Sequence, residues 1–132
     1  MIIVDSSSLV AIAVREPDWM EHLAIIQASA SVTISPINYV EVGIVLRRHG
    51  FVEDQASLDS WLNTLDVKVC NDFALADAAL AAYFMYGKGF HPAALNLADT
   101  FAYALAKAAD LPLLYKGDDF TRTDIRSALQ PT

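Results

Sequence analysis

Cysteine is all but missing from this sequence: Cys70 stands alone among 132 residues. No internal disulfide and no thiolate zinc cluster can form. Cys70 closes the apolar stretch Val67-Lys68-Val69-Cys70 and reads as a small hydrophobe at a strand end. Histidine is sparse, with His22, His49 and His91 scattered, so no cysteine–histidine nucleophile pattern is offered. No apolar run approaches the ~18 residues that span a bilayer. The opening Met1-Ile2-Ile3-Val4-Asp5 lacks the basic segment and cleavage site of a secretion signal, which sets the expectation of a cytoplasmic protein. Positive charge is short as well: 9 Lys and Arg stand against 16 Asp and Glu, a net charge of −7. Proteins that hold polyphosphate by surface charge alone are usually basic. A nucleic-acid substrate would therefore need cations supplied locally, and a bound metal is the obvious source. The same acidity suits a basic protein partner.

Apolar residues, by contrast, are plentiful at 55%. That is more than the ~45–50% of an ordinary soluble domain, enough for a core and for a face held against a partner. The length fits a single domain, expected to span residues 1–132, and no repeat, low-complexity tract or linker divides it.

Short apolar runs alternate with helical patterns. Ile2–Val4 reads as a buried strand, and Ser6 to about Val14 as a helix. Asp18 to about Ser29 reads as a second helix, capped by Asp18 and carrying Trp19, Leu23 and Ile26 on one stripe. Val32–Ile34 is a strand. Ser35-Pro36 opens the next helix as N-cap and first-turn proline, and that helix runs to Gly50. Val52 to Leu65 is helical, Val67–Val69 a third strand, and Asp72 to Tyr86 an alanine-rich helix stopped by Gly87-Lys88-Gly89. Asn96 to Ala109 is a further helix and Leu111–Tyr115 a last strand with Pro112 near its start. Strands separated by helices imply an α/β fold with a short parallel sheet flanked by helices. Ligands of such sheets bind beyond the carboxyl ends of the strands.

Four acidic positions gather where that rule points. Asp5 ends the first strand; alone it would read as a helix N-cap. Glu41 has Ile37, Ile44 and Val45 as helical neighbours, so it interrupts an apolar stripe. A carboxylate there is expected to be paired or metal-bound, because burying it alone is costly. Arg48 is the cation that could pair with it on the same face. Asp99 and Asn96 have the spacing of a capping box, which explains the pair without chemistry. Asp118 and Asp119 follow the last strand, where an Asx turn is the plain reading. Each acid has a structural explanation, but their convergence on one sheet edge does not. Carboxylates without thiolates make a hard-oxygen site suited to Mg²⁺ or Mn²⁺ and to phosphodiester hydrolysis.

The order of these residues resembles the VapC-type PIN domain. Val4-Asp5-Ser6-Ser7, Glu41, Leu95-Asn96-Leu97-Ala98-Asp99-Thr100-Phe101 and Lys116-Gly117-Asp118-Asp119-Phe120 carry the resemblance. Tyr86-Gly87-Lys88-Gly89 with His91-Pro92-Ala93, and the tail Thr121-Arg122-Thr123-Asp124-Ile125, extend it over nearly the whole chain. The resemblance implies a PIN-like α/β sandwich, a metal-dependent endoribonuclease toxin that cleaves structured RNA, a VapB-like antitoxin that neutralises it, and a homodimer. It implies Asp5, Glu41 and Asp99 as core metal ligands. It favours Asp119 as the fourth acid, with Asp118 able to share or take that role, and gives Ser7 and Asn96 supporting positions. Ala98 departs from the family, which usually has glycine before the third acid. Arg15, Arg47, Arg48, Lys88, Lys116 and Arg122 are the cations to look for around the acids, and His91 is the histidine best placed for RNA.

Other classes fit less well. An aspartate-nucleophile phosphatase wants a second Asp two residues after the first, and position 7 is serine. A phosphoacceptor signalling domain needs its acids on strand ends, whereas Glu41 and Asp99 fall within helices. A binding-only PIN domain should have lost one of the acids, and all are present.

Overall fold

The computed structural model describes residues 1–72, 74–89 and 91–129. Ten elements follow one another: β1 (Ile2–Val4), α1 (Ser6–Val14), α2 (Trp19–Ala28), β2 (Val32–Ile34), α3 (Pro36–Arg48), α4 (Gln55–Thr64), β3 (Val67–Val69), α5 (Leu75–Tyr86), α6 (Leu97–Ala109) and β4 (Leu113–Leu114). The strands form one sheet in the order β3-β2-β1-β4, and every pairing is parallel. Ile3 lies opposite Thr33 on one side and Leu113 on the other, which makes β1 a central strand.

Because side chains alternate across a strand, β1 feeds two cores. Ile2 and Val4 join Leu9, Ile12, Val42, Leu46, Leu58 and Leu62 on the face covered by helices α1 to α4. Ile3 joins Leu75, Ala79, Tyr103, Leu113 and Phe120 under α5 and α6. This is the expected sandwich. Chain order reverses at the centre, with β2 and β4 flanking β1, so the crevice at the carboxyl ends of β1 and β4 is the natural ligand position.

Several element ends move for identifiable reasons. The fourth helix starts at Gln55, not near Val52, because Asp54 and Ser57 close a capping box there. The alanine-rich helix starts at Leu75, since Asp72 is spent in a turn, its Oδ1 accepting from the Ala74 N–H at 2.9 Å. Asp18 precedes α2 as expected but makes no side-chain cap hydrogen bond. The core face of α2 is His22 and Ile26, with Trp19 and Leu23 half-buried. His22 is fully buried, its Nδ1 2.8 Å from Ser8 Oγ and its Nε2 3.3 Å from Asp18 Oδ2. Gly87 ends α5 because nothing larger fits: a Cβ there would lie 2.4 Å from the Tyr83 carbonyl oxygen.

Candidate active site

Asp5 leaves β1 and caps α1, so the strand end and the helix start fix one carboxylate between them. Its Oδ2 accepts from the Ser7 N–H at 3.1 Å and from Ser7 Oγ at 2.5 Å. Ser7 Oγ in turn accepts from the Lys116 N–H at 2.9 Å, which ties the exit of β4 to the exit of β1. The other Asp5 oxygen accepts from Asn38 Nδ2 at 3.3 Å.

Asn38 is the residue that sequence reading passed over. It is fully buried on α3, and its Nδ2 also reaches Ser6 Oγ at 2.9 Å and the Ala98 carbonyl at 3.2 Å. Its Oδ1 accepts from the hydroxyl of Ser35, the N-cap of α3. One amide therefore ties α1, α3 and α6 around Asp5. The available signal was a polar residue on a core stripe: Asn38, Val42 and Leu46 are the buried positions of α3. The stripe read around Glu41 is corrected accordingly. Ile44 is exposed, and Glu41 is half-buried at the edge of the core stripe rather than inside it. No ion pair joins Arg48 to it among the described residues.

Asp99 occupies the third position of α6 and does form the capping box. Asn96 Oδ1 accepts from the Asp99 N–H at 2.9 Å, and Asp99 Oδ2 accepts from the Asn96 N–H at 3.1 Å. The cap does not exhaust the residue. Asp99 is 7% exposed and its carboxyl is pushed up to about 7, first by burial and then by the charges of Asp5, Asp119 and Glu41. Asp5 is pushed up to about 6 by burial, against the lowering pull of the Ser7 hydrogen bonds, with Glu41 adding repulsion. Four acids from β1, α3, α6 and the segment after β4 thus act on one another. Asp118 is exposed, and its carbonyl accepts from the Thr121 hydroxyl. Among the described residues no three acid, imidazole or thiol side chains converge tightly enough to hold an ion as they stand. The caps of Asp5 and Asp99 draw each carboxylate back toward its own helix.

Of the cations looked for near the acids, Lys116 is turned away: its Nζ pairs with Glu16 at 3.1 Å and Asp18 at 2.9 Å. Arg15 stacks over Trp19, 5.0 Å from the ring centroid. His91 accepts from the Ala93 N–H at 3.0 Å and packs edge-on against Tyr86.

The sequence pattern of the PIN domain matches residues 2–126, nearly the whole chain. This protein is a PIN domain. Its relatives narrow the family to the VapC type. It is 40% identical over 131 residues to ribonuclease VapC30 of Mycobacterium tuberculosis, covering 98% of this chain and all of the relative. It is 41% identical over 125 residues to a ribonuclease VapC of Mycolicibacterium smegmatis, covering 94% and 97% of the two chains. Among solved structures, the PIN chain shares its fold with M. tuberculosis VapC20, described as a sarcin–ricin loop cleaving toxin, with a TM-score of 0.74 at 14% identity over 95% and 96% of the chains. A toxin–antitoxin complex from Klebsiella pneumoniae superposes with a TM-score of 0.68 at 17% identity, covering 94% and 93%.

Proposed function

We propose that this PIN domain is a divalent-metal-dependent endoribonuclease, the toxin of a toxin–antitoxin pair, which restrains translation and growth until its antitoxin binds. The observation that carries the reading is Asp99, a carboxyl that burial first, and then the charges of three other acids, keep from ionising readily. Such crowding is unfavourable by itself and is relieved when a cation joins it. The ribonuclease names of relatives at about 40% identity across the full length support the RNA substrate. The complex from Klebsiella supports the antitoxin.

The donor set fits a hard cation such as Mg²⁺ or Mn²⁺, because every candidate ligand is a carboxylate oxygen. Asp5, Glu41, Asp99 and Asp119 would hold it, and when bound it would activate water and stabilise the leaving oxygen of a phosphodiester. The chain's own residues supply order. Ser7 and Asn38 fix both oxygens of Asp5, and Asn96 holds the rotamer of Asp99 while leaving its second oxygen uncommitted. Asp119, exposed at the rim, can meet substrate and ligand sphere together. An aspartyl-phosphate route is disfavoured because Ser7 stands where a phosphatase needs its second acid. Two apolar faces are open to partners: Val40 and Ile44 on α3 for an antitoxin segment, and Leu80, Phe84, Met85 and Leu97 for a second copy.

Cleavage of structured RNA by purified protein, with the ends mapped, tests the reading. Activity should vanish with chelator and return with Mg²⁺ or Mn²⁺. Asp5→Asn, Glu41→Gln and Asp99→Asn should each lose at least ~100-fold, since even outer partners of metal ligands cost 10–100-fold. Undiminished cutting under chelation would contradict the proposal.

A further inference from the structure

Of the cations, six have no carboxylate partner among the described residues, and Arg122 is the one of these that shares a cavity with Asp118 and Asp119. Among the described residues, Lys107 pairs with Asp124 at 2.9 Å, Arg126 with Asp110 at 3.2 Å, and Lys116 with Glu16 and Asp18. Arg122 instead donates from Nη1 to the Pro92 carbonyl oxygen at 3.3 Å. That contact uses one of five N–H donors and neutralises none of the charge. The residue lines a cavity of about 350 Å³, with residues 92–94 on one wall and Asp118, Asp119 and Arg122 on the other. Asp119 joins this cavity to the acidic cluster, since its charge acts on Asp99. A guanidinium is thus held by a main-chain carbonyl beside two aspartates, ion-paired with neither.

That placement suits an anion that arrives with the substrate. Guanidinium groups bind phosphate through paired N–H donors, and a cavity of this size lies in the range of small-molecule sites. RNA carries a phosphate at every nucleotide, so a strand with one phosphate at the acids has the next a nucleotide away. In a chain of net charge −7 that second phosphate needs a local counter-charge. We propose that this cavity seats the nucleotide next to the scissile phosphate and that Arg122 pairs with the phosphate of that nucleotide. The proposal rests on the ribonuclease reading above. It also gives Asp118 a place on the wall of the substrate cavity, apart from the ligand sphere.

Steady-state cleavage of a short RNA hairpin, cut within its single-stranded loop, by wild type, R122A, R122Q and R122K tests this. Loss of the charge in R122A and R122Q should raise KM about tenfold and leave kcat within about twofold, the pattern of a uniform binding contact. The slope of log kcat/KM against log salt should flatten by about 0.7, the value for one phosphate on a single strand. R122K should keep the wild-type slope. Making the neighbouring linkage a neutral methylphosphonate should cost wild type the same factor and R122A nothing further, which identifies the side of the scissile bond. If Arg122 merely props Pro92, R122Q keeps a donor for that carbonyl and should match wild type in KM and salt slope, which would overturn the proposal. RNA cut by wild type and by all three variants with equal KM and slope overturns the subsite alone. RNA left uncut by wild type overturns the ribonuclease reading and the subsite with it.

Discussion

At Asp99 the hydrogen bond from the Asn96 N–H favours the charged carboxylate, while burial and three neighbouring acids favour the neutral one and prevail. The folded-state value of about 7 lies above the unfolded value of 3.8. Between those values the folded chain keeps a proton that the unfolded chain releases, so stability falls as pH rises through the window and the loss is complete above it. Asp5 acts in the same direction up to about 6. Asp99→Asn keeps an oxygen for the cap and removes the charge. In chelator the variant should match wild type near pH 4 and exceed it by about 2 kcal/mol at pH 8, read from urea unfolding. A variant less stable than wild type at pH 8 would mean the acids are not crowded as described. Asp5 and Asp99 were legible in the sequence because a strand end and a capping box are local patterns. Asn38 was not, because the partners that tie it to Asp5, Ser6 and Ala98 lie 33, 32 and 60 residues away in the chain, and its place on the core stripe of α3 does not name them.

Among the elements, α6 is positioned from its start. The Gly87–Leu95 bridge sits directly before the cap residue Asn96, and Leu95 is fully buried. Gly87 permits it by bringing backbone within 2.4 Å of where a Cβ would stand. Gly87→Ala should therefore cost about 1–3 kcal/mol, as overpacking does, and lower cleavage through displacement of Asp99. Thermal unfolding alongside RNA cleavage checks both, and wild-type behaviour in both would contradict the role given to this contact. At the other end of the site, Lys116 reaches Glu16 and Asp18 while its N–H holds Ser7. This clasp joins the α1–α2 turn to the exit of β4, and its partly exposed charges contribute at most about 1 kcal/mol. Sequence placed the first three strands, since short β-branched runs between helical patterns have few other uses in an α/β chain, whereas β4 is only Leu113–Leu114 within the Leu111–Tyr115 run read as a strand. It misplaced the start of α4 because Val52 continues an apolar pattern into a loop, where it packs in the core without being helical.

At the scale of the whole molecule, a sheet of order β3-β2-β1-β4 brings four chain-distant acids to one crevice. Part of the net charge of −7 is concentrated there, and it is this part that the proposed divalent cation would offset. The apolar excess is legible too, in Phe84 at 69% and Leu97 at 68% exposure, the kind of surface that marks an interaction site when it is contiguous.

The measurement that bears most directly on the proposed metal centre is calorimetric titration of Mn²⁺ into wild type, Asp99→Asn, Asp119→Asn and Asp118→Asn at neutral pH. Wild type should bind with proton release, because ligands protonated in the free protein must give up their protons. Asp99→Asn and Asp119→Asn should lose affinity by ~10-fold or more, while Asp118→Asn stays within a few-fold of wild type. Equal binding by wild type and Asp99→Asn, or a binding loss confined to Asp118→Asn, would contradict the account.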